Sequence, residues 1–475
     1  MDEQRSLEIA YMPALEMRKR FMQRKLSPVE VTGVILERIG VLNTKLNAYL
    51  TVTVERALED ALTAEHCYAP DSTSEPGILC GIPMSIKDIT ATKGIRTTRG
   101  SLIYEDWVPD EDAVWAERVY AAGGVMLGKT NTPEFGWKGD SGNRLIGPAR
   151  NPWNLDRTAG GSSGGASAAI AAGLGPLAQG TDGAGSVRIP AGFCGIFGMK
   201  PSFGLVPYAP PSSVAALAHN GPMTRTVRDA ALLLNAVAGA DGRDPNSFSP
   251  AAGIDFLAAC DGGIAGLRIA WSPDMGFAAV DPEIRDLTAR AVHRLSELGC
   301  HVEEVTLDLP DPWPVVDTLW ISAQAGMHKA DFDRVADRLD PGRLPLIERG
   351  RALSAVDLYD AYVQRSTYTE AMRRFMENYD LLVTPQLPVT AFRAGDDHPG
   401  TVAGHSVNYL NWTAFTYPFN VTGQPAASLP CGFASDGLPI ALQFVGRWRD
   451  DATVLRAAAA WEELVPWSDQ RPSLE

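Results

Sequence analysis

The spacing of apolar residues changes period several times along the chain, and each change predicts a new element. Residues 6 to 67 follow helical spacing. Within them Ser27-Pro28-Val29-Glu30 has the form of a helix start, with Ser27 as N-cap, proline at the first position and Glu30 closing a capping box. Val31, Val34, Ile35, Ile39 and Leu42 then form one apolar stripe. The polar run 70–77 reads as a surface loop. Gly81 to Ile89 is a short apolar strand that carries a lysine, Lys87. A helix over 113–122 and a strand at 125–127 follow. Residues 166–178 are apolar and rich in alanine, which predicts a buried helix, and Val187-Arg188-Ile189 reads as a strand. Beyond Met199 helices (225–238, 281–298) alternate with strands (267–271, 302–305). Residues 310–396 are mostly helical and rich in aromatics, with Leu381 to Pro385 as a buried strand.

Composition narrows the class. The 475 residues are 45% hydrophobic and 21% charged, as in a water-facing globular protein. A net charge of −15 argues against nucleic acid or an anionic membrane as partner. No basic-then-apolar leader opens the chain and no apolar run reaches the length of a membrane span, so a cytoplasmic location is expected. The six cysteines are scattered without a CxxC pair and read as reduced thiols, most of them buried. No metal or other cofactor is expected.

Candidate chemistry concentrates in 158–200, where almost half the residues are Gly or Ala. Gly160-Gly161-Ser162-Ser163-Gly164-Gly165 precedes the Ala-rich helix and places hydroxyls at its positive end. Thr181-Asp182-Gly183-Ala184-Gly185-Ser186 is a small-residue turn whose N–H groups can converge on one oxygen. A flexible Gly/Ser linker would not carry a buried helix between its halves. Two other motifs match only by letter. Gly123 to Thr130 satisfies the phosphate-loop pattern, but the helix precedes the strand, which is the wrong order. Gly160 to Gly164 fits the nucleophile elbow GxSxG, yet none of His219, His293, His301, His328, His398 or His405 lies in a supporting pattern. A lysine in apolar surroundings loses proton affinity and can act as a base; otherwise Lys87 pairs with Asp88 or another carboxylate.

GGSSGG, the Ala-rich helix and TDGAGSVRIPAGFCGIFGMKP together resemble the signature of the amidase signature family of serine amidohydrolases. Ser162 and Ser186 stand 24 positions apart, the family's spacing, and Lys87 sits in its GxPxxxKD context. One departure is Ala184, where the family usually has glycine; a methyl there disfavours positive φ and would reshape the turn.

The resemblance covers 27–50, 79–205 and 411–446. It implies an α/β fold, residues 1–475 as one large domain, around a central twisted, mostly parallel or mixed sheet with helices on both faces. That domain comprises a helical N-terminal segment over residues 1–67, a signature core 79–205, a variable helical region at about 310–396 and two closing strands within 411–446. It also implies amide hydrolysis through an acyl-enzyme on Ser186, with Ser162 as proton relay and Lys87 as base. Gly183, Ala184, Gly185 and Ser186 would supply the oxyanion hole, a cis peptide would precede Ser162 at Gly161, and Asp182 and Arg188 would brace the turn. Asn131 and Glu134 are expected as structural hydrogen-bonders. Trp313, Trp320, Tyr359, Tyr362 and Tyr368 either pack or wall the pocket, which mildly favours a bulky uncharged substrate, and the loop 388–405 is placed to cover the site. The expected partner is a small-molecule amide, with the chain a monomer or homodimer. Hydrolysis of carbamates or esters by the same triad, an amidotransferase-type subunit that needs partners, and a catalytically silent binding protein are the competing readings.

Overall fold

The computed structural model describes residues 3–251 and 253–474; positions 1, 2, 252 and 475 of the expected domain lie outside them. Eleven strands form one sheet: β1 (Tyr49–Val52), β2 (Pro83–Lys87), β3 (Val125–Thr130), β4 (Leu177–Asp182), β5 (Phe197–Lys200), β6 (His219–Thr224), β7 (Arg268–Trp271), β8 (His301–Glu304), β9 (Leu381–Pro385), β10 (Ala426–Phe433) and β11 (Pro439–Gly446). Their spatial order is β1-β3-β2-β4-β6-β5-β10-β11-β9-β7-β8. Pairing is parallel in two blocks, β3-β2-β4 and β9-β7-β8, and antiparallel elsewhere, so the sheet is mixed. Sixteen α-helices flank it among the described residues. None is long and apolar enough to cross a membrane.

The N-terminal segment is helical except for β1, which the helical spacing hid. Its four residues join the sheet edge antiparallel to β3. The helix Pro28–Leu46 starts at Ser27, whose Oγ accepts from the N–H of Val29 and Glu30. Glu30 does not return the bond to close a capping box; its carboxylate accepts from Arg5 at 2.7 Å instead. The lysine of the phosphate-loop look-alike, Lys129, lies buried in β3 and donates to Thr90 O and to Thr92 Oγ1, the latter at 2.6 Å.

Three further segments depart from expectation. Residues 188–194 are a helix, not a strand: Asp182 Oδ1 and Oδ2 accept from Gly185 N and Val187 N, which closes the turn so that helical i→i−4 bonds begin at Ile189. Three apolar-polar-apolar residues are too few for periodicity to tell the two apart. Residues 417–422 form a helix ahead of the two closing strands β10 and β11. The loop 388–405 does not cover the site. Its Ala391 and Phe392 pack with Ile189, Phe193 and Trp412, and Asp397 pairs with Lys138.

Candidate active site

Lys87 is the last residue of β2 and Asp182 the last of β4, its parallel neighbour. Both therefore emerge at the carboxyl ends of adjacent strands, where open α/β sheets form their ligand crevices. The helix Gly164–Ala171, buried at every residue, packs against these strands and carries Ser162 and Ser163 in front of it. It can approach because Gly165 has no side chain: a Cβ there would stand 2.2 Å from Asn131 N. Its first N–H, on Gly164, is capped by Ser141 Oγ at 2.8 Å and not by the serines of the motif. The Gly161–Ser162 peptide is cis.

Lys87 Nζ donates to Ser162 Oγ at 2.6 Å and to Thr181 Oγ1 at 2.9 Å. Asp88 takes no part; its Oδ2 accepts from Thr98 N and Oγ1. Lys87 is fully buried, and burial drives its proton affinity well below the ordinary lysine range against the opposing charge of Asp182. Ser162 and Ser186 are also nearly buried, and both open onto one cavity of about 300 Å³. Among the described residues no histidine lines that cavity.

The serine turn hangs on Asp182 and Arg188. All five N–H groups of the buried Arg188 guanidinium are taken: Nε and Nη2 by Asp182, Nη2 also by Asn420 Oδ1, and Nη1 by Thr416 O and Gln443 Oε1. Burial alone would raise the Asp182 carboxyl, but the charge and bonds of Arg188 outweigh it and hold the group below the usual carboxylate range. Gly185 N donates to Asp182 Oδ1 at 2.7 Å and so is not free for an oxyanion. The N–H groups of Gly183, Ala184 and Ser186 have no protein acceptor among the described residues. Positive φ falls on Gly185 (127°), where a Cβ would meet Thr416 Oγ1 at 2.4 Å, and not on Ala184; the alanine therefore costs the turn nothing.

The substrate walls only partly match expectation. Of the five aromatics singled out in 310–396, Trp320 lines the cavity; Trp313 packs on Tyr409 and Tyr417, Tyr368 is buried, and Tyr359 and Tyr362 face solvent. Phe135, Tyr208 and the loop 209–214 also form part of the wall. Thr181, Asn420 and Gln443 sit in motif segments, yet only the folded contacts give them roles. Asn131 bridges backbone carbonyls of Asn47 and Gly147, and Glu134 receives Arg343 at 2.8 Å. Among the described residues no cluster of His, Cys, Asp or Glu is placed to hold a metal.

The profile of the family described as Amidase matches residues 30–455 of the chain. The chain belongs to the amidase signature family. It is accordingly an amide-hydrolysing enzyme. Over 472 residues it is 39% identical to an acylamidase of Rhodococcus erythropolis, covering 98% of this chain and 97% of that one. It is 38% identical to the A subunit of a glutamyl-tRNA(Gln) amidotransferase of Moorella thermoacetica, covering 98% and 99%. Among solved structures, a bacterial aryl acylamidase of the same family superposes with a TM-score of 0.89 at 32% identity, covering 96% of this chain and 97% of that one. The amidase signature fold thus spans essentially the whole chain.

Proposed function

We propose that the enzyme cleaves aryl amides through an acyl-enzyme on Ser186, with Ser162 as proton relay and Lys87 as base. The observation that carries this reading is the 2.6 Å contact between Lys87 Nζ and Ser162 Oγ, beside a cavity that Ser186 also lines. Burial favours the neutral amine; Thr181 Oγ1 accepts one of its N–H groups, and in the neutral form the contact with Ser162 runs the other way, with the Ser162 hydroxyl donating to the lone pair. As Ser186 Oγ bonds to the amide carbon, its proton passes to Ser162 Oγ and the Ser162 proton passes to Lys87. The oxyanion is held by the N–H groups of Gly183, Ala184 and Ser186. Collapse breaks the C–N bond, and the amine leaves with a proton returned through Ser162. Water then follows the same proton route in reverse and releases the acid.

A cavity near 300 Å³ walled by Phe135, Tyr208 and Trp320 accommodates one aryl ring and a short acyl chain better than an extended oligomer. The 39% identical acylamidase and the aryl acylamidase structure point the same way. The enzyme acts on a free small molecule as a monomer or homodimer. The 38% identical amidotransferase subunit favours a second reading, an amidotransferase-type subunit that needs partners; turnover of acetanilide by the isolated chain separates the two.

Ser186→Ala should abolish labelling by a fluorophosphonate and reduce amide turnover by at least about 10⁴-fold, the scale on which removed nucleophiles act. Ser162→Ala should slow labelling severely while leaving Ser186 as the labelled residue. Peptide mass mapping reads both. Label on Ser162 would reverse the assignment.

A further inference from the structure

One charged group on the cavity wall has no partner. Arg99 lines the same cavity as Ser162 and Ser186, and its guanidinium makes no hydrogen bond or ion pair with any described residue. The buried arginines nearby are neutralised, Arg188 by Asp182 and Arg343 by Glu134. Its Nε is buried without an acceptor, which is costly for a cationic donor. Two rings hold the guanidinium in place, Trp107 at 4.5 Å and Tyr104 at 4.9 Å from its central carbon to the ring centroids. Such contacts fix the plane but leave its N–H edge unsatisfied.

The backbone adds an independent sign. Arg99 has φ of 55°, in the region that glycine occupies without penalty and arginine does not. Two hydrogen bonds hold it there, Arg99 N to Asp88 O at 3.0 Å and Phe135 N to Arg99 O at 2.8 Å. Asp88 directly follows the lysine of the site, and Phe135 belongs to the cavity wall. Strained residues kept in place by their surroundings concentrate where a ligand is handled.

We infer that Arg99 is a specificity residue that receives a carboxylate carried by the substrate away from the scissile amide. Guanidinium stays protonated at every working pH and pairs with carboxylate through two parallel N–H groups, which suits it to this task better than lysine. The reading rests on the amide-hydrolysis reading of the same cavity and extends it. The expected uncharged substrate becomes an aryl amide whose reacting end is neutral and whose far end is anionic.

Calorimetry on Ser186→Ala, which binds without turnover, isolates recognition from chemistry. Two acid–amide pairs place the charge on either side of the scissile bond: 4-acetamidobenzoate against 4-acetamidobenzamide, and 5-anilino-5-oxopentanoate against its terminal amide. In at least one pair the acid should bind about tenfold tighter, a charged hydrogen bond discounted for the partial exposure of Arg99. That advantage should shrink as salt rises from about 50 to 500 mM. Adding Arg99→Gln should remove it, and Arg99→Lys should keep a fraction of it. Equal binding of acid and amide in both pairs overturns the assignment, as does an acid preference that survives Arg99→Gln. Should Arg99→Gln fail to fold, the acid–amide ratio and its salt dependence in the Arg99 protein decide alone. Turnover by the unsubstituted enzyme tests amide hydrolysis separately, so the two failures are distinguishable.

Discussion

A lysine surrounded by hydroxyls inside a protein is a chemical choice with a measurable signature. The neutral amine is the form that can take a proton, and burial shifts Lys87 towards it. The value of kcat/KM should therefore rise with pH through a single limb that lies below the ordinary lysine value of about 10.4. Lys87→Ala should remove the limb and most of the activity, and Lys87→Arg should not restore it, because guanidinium stays charged. Rates from about pH 5 to 10 on the three enzymes test this. Near-normal activity in Lys87→Arg would reduce Lys87 to a structural role. Stability carries the same sign. Between the depressed folded pKa and the unfolded one the unfolded chain holds the extra proton, so stability rises with pH across that window. At neutral pH Lys87→Met should abolish turnover while raising Tm, by about 1 °C for each kcal/mol gained in a chain of this length. Lys87 was legible in the sequence because one charge interrupts an apolar strand. Thr181 and Arg99 were not, since a threonine in a turn and an arginine after a Thr-Thr pair look like surface until the chain folds.

The turn 182–187 with its short helix is the element that presents Ser186. Arg188→Met would leave the Asp182 carboxylate buried without its cation, and unfolding in urea should show a loss of about 3–5 kcal/mol. Arg188→Lys should not rescue it, because an ammonium cannot replace five fixed N–H groups. The Asp182 carboxyl is held below its ordinary range, so the stability it contributes is present above the unfolded value of about 3.9 and lost as pH falls through the folded one. Asp182→Asn should flatten that acid limb in a urea-stability series. The element itself was half legible. Gly-rich composition marked the turn, but Val187 to Ile189 gave no period by which to distinguish helix from strand, and the deciding bonds come from Asp182. The long helices were read well because their apolar stripes run for several turns; β1, with four residues between two helices, offered no such length.

At the scale of the molecule, a helical layer is fastened to the signature core through one buried ion pair. Arg343 donates to Glu134 at 2.8 Å and to Gln324 at 3.0 Å, and Glu134 also accepts from Ser101 Oγ and Asp340 N. Glu134→Gln keeps the shape but leaves Arg343 uncompensated. It should cost about 3–5 kcal/mol, speed hydrogen exchange across 313–351, and raise KM several-fold by loosening the Trp320 wall. Unchanged exchange there would mean that the layer is held by apolar packing alone. No local pattern announces a pair 209 residues apart, which is why the sequence yielded Glu134 as a hydrogen-bonder but not its partner. The same separation governs Arg188, which is 228 residues from Thr416, 232 from Asn420 and 255 from Gln443. Timing follows from that distance. On a ribosome adding ~5–20 residues per second, the anchors of the Ser186 turn emerge about 13–50 s after Ser186 itself. For that interval the nascent chain carries the proposed nucleophile without the scaffold that aims it, and activity begins only near the end of synthesis.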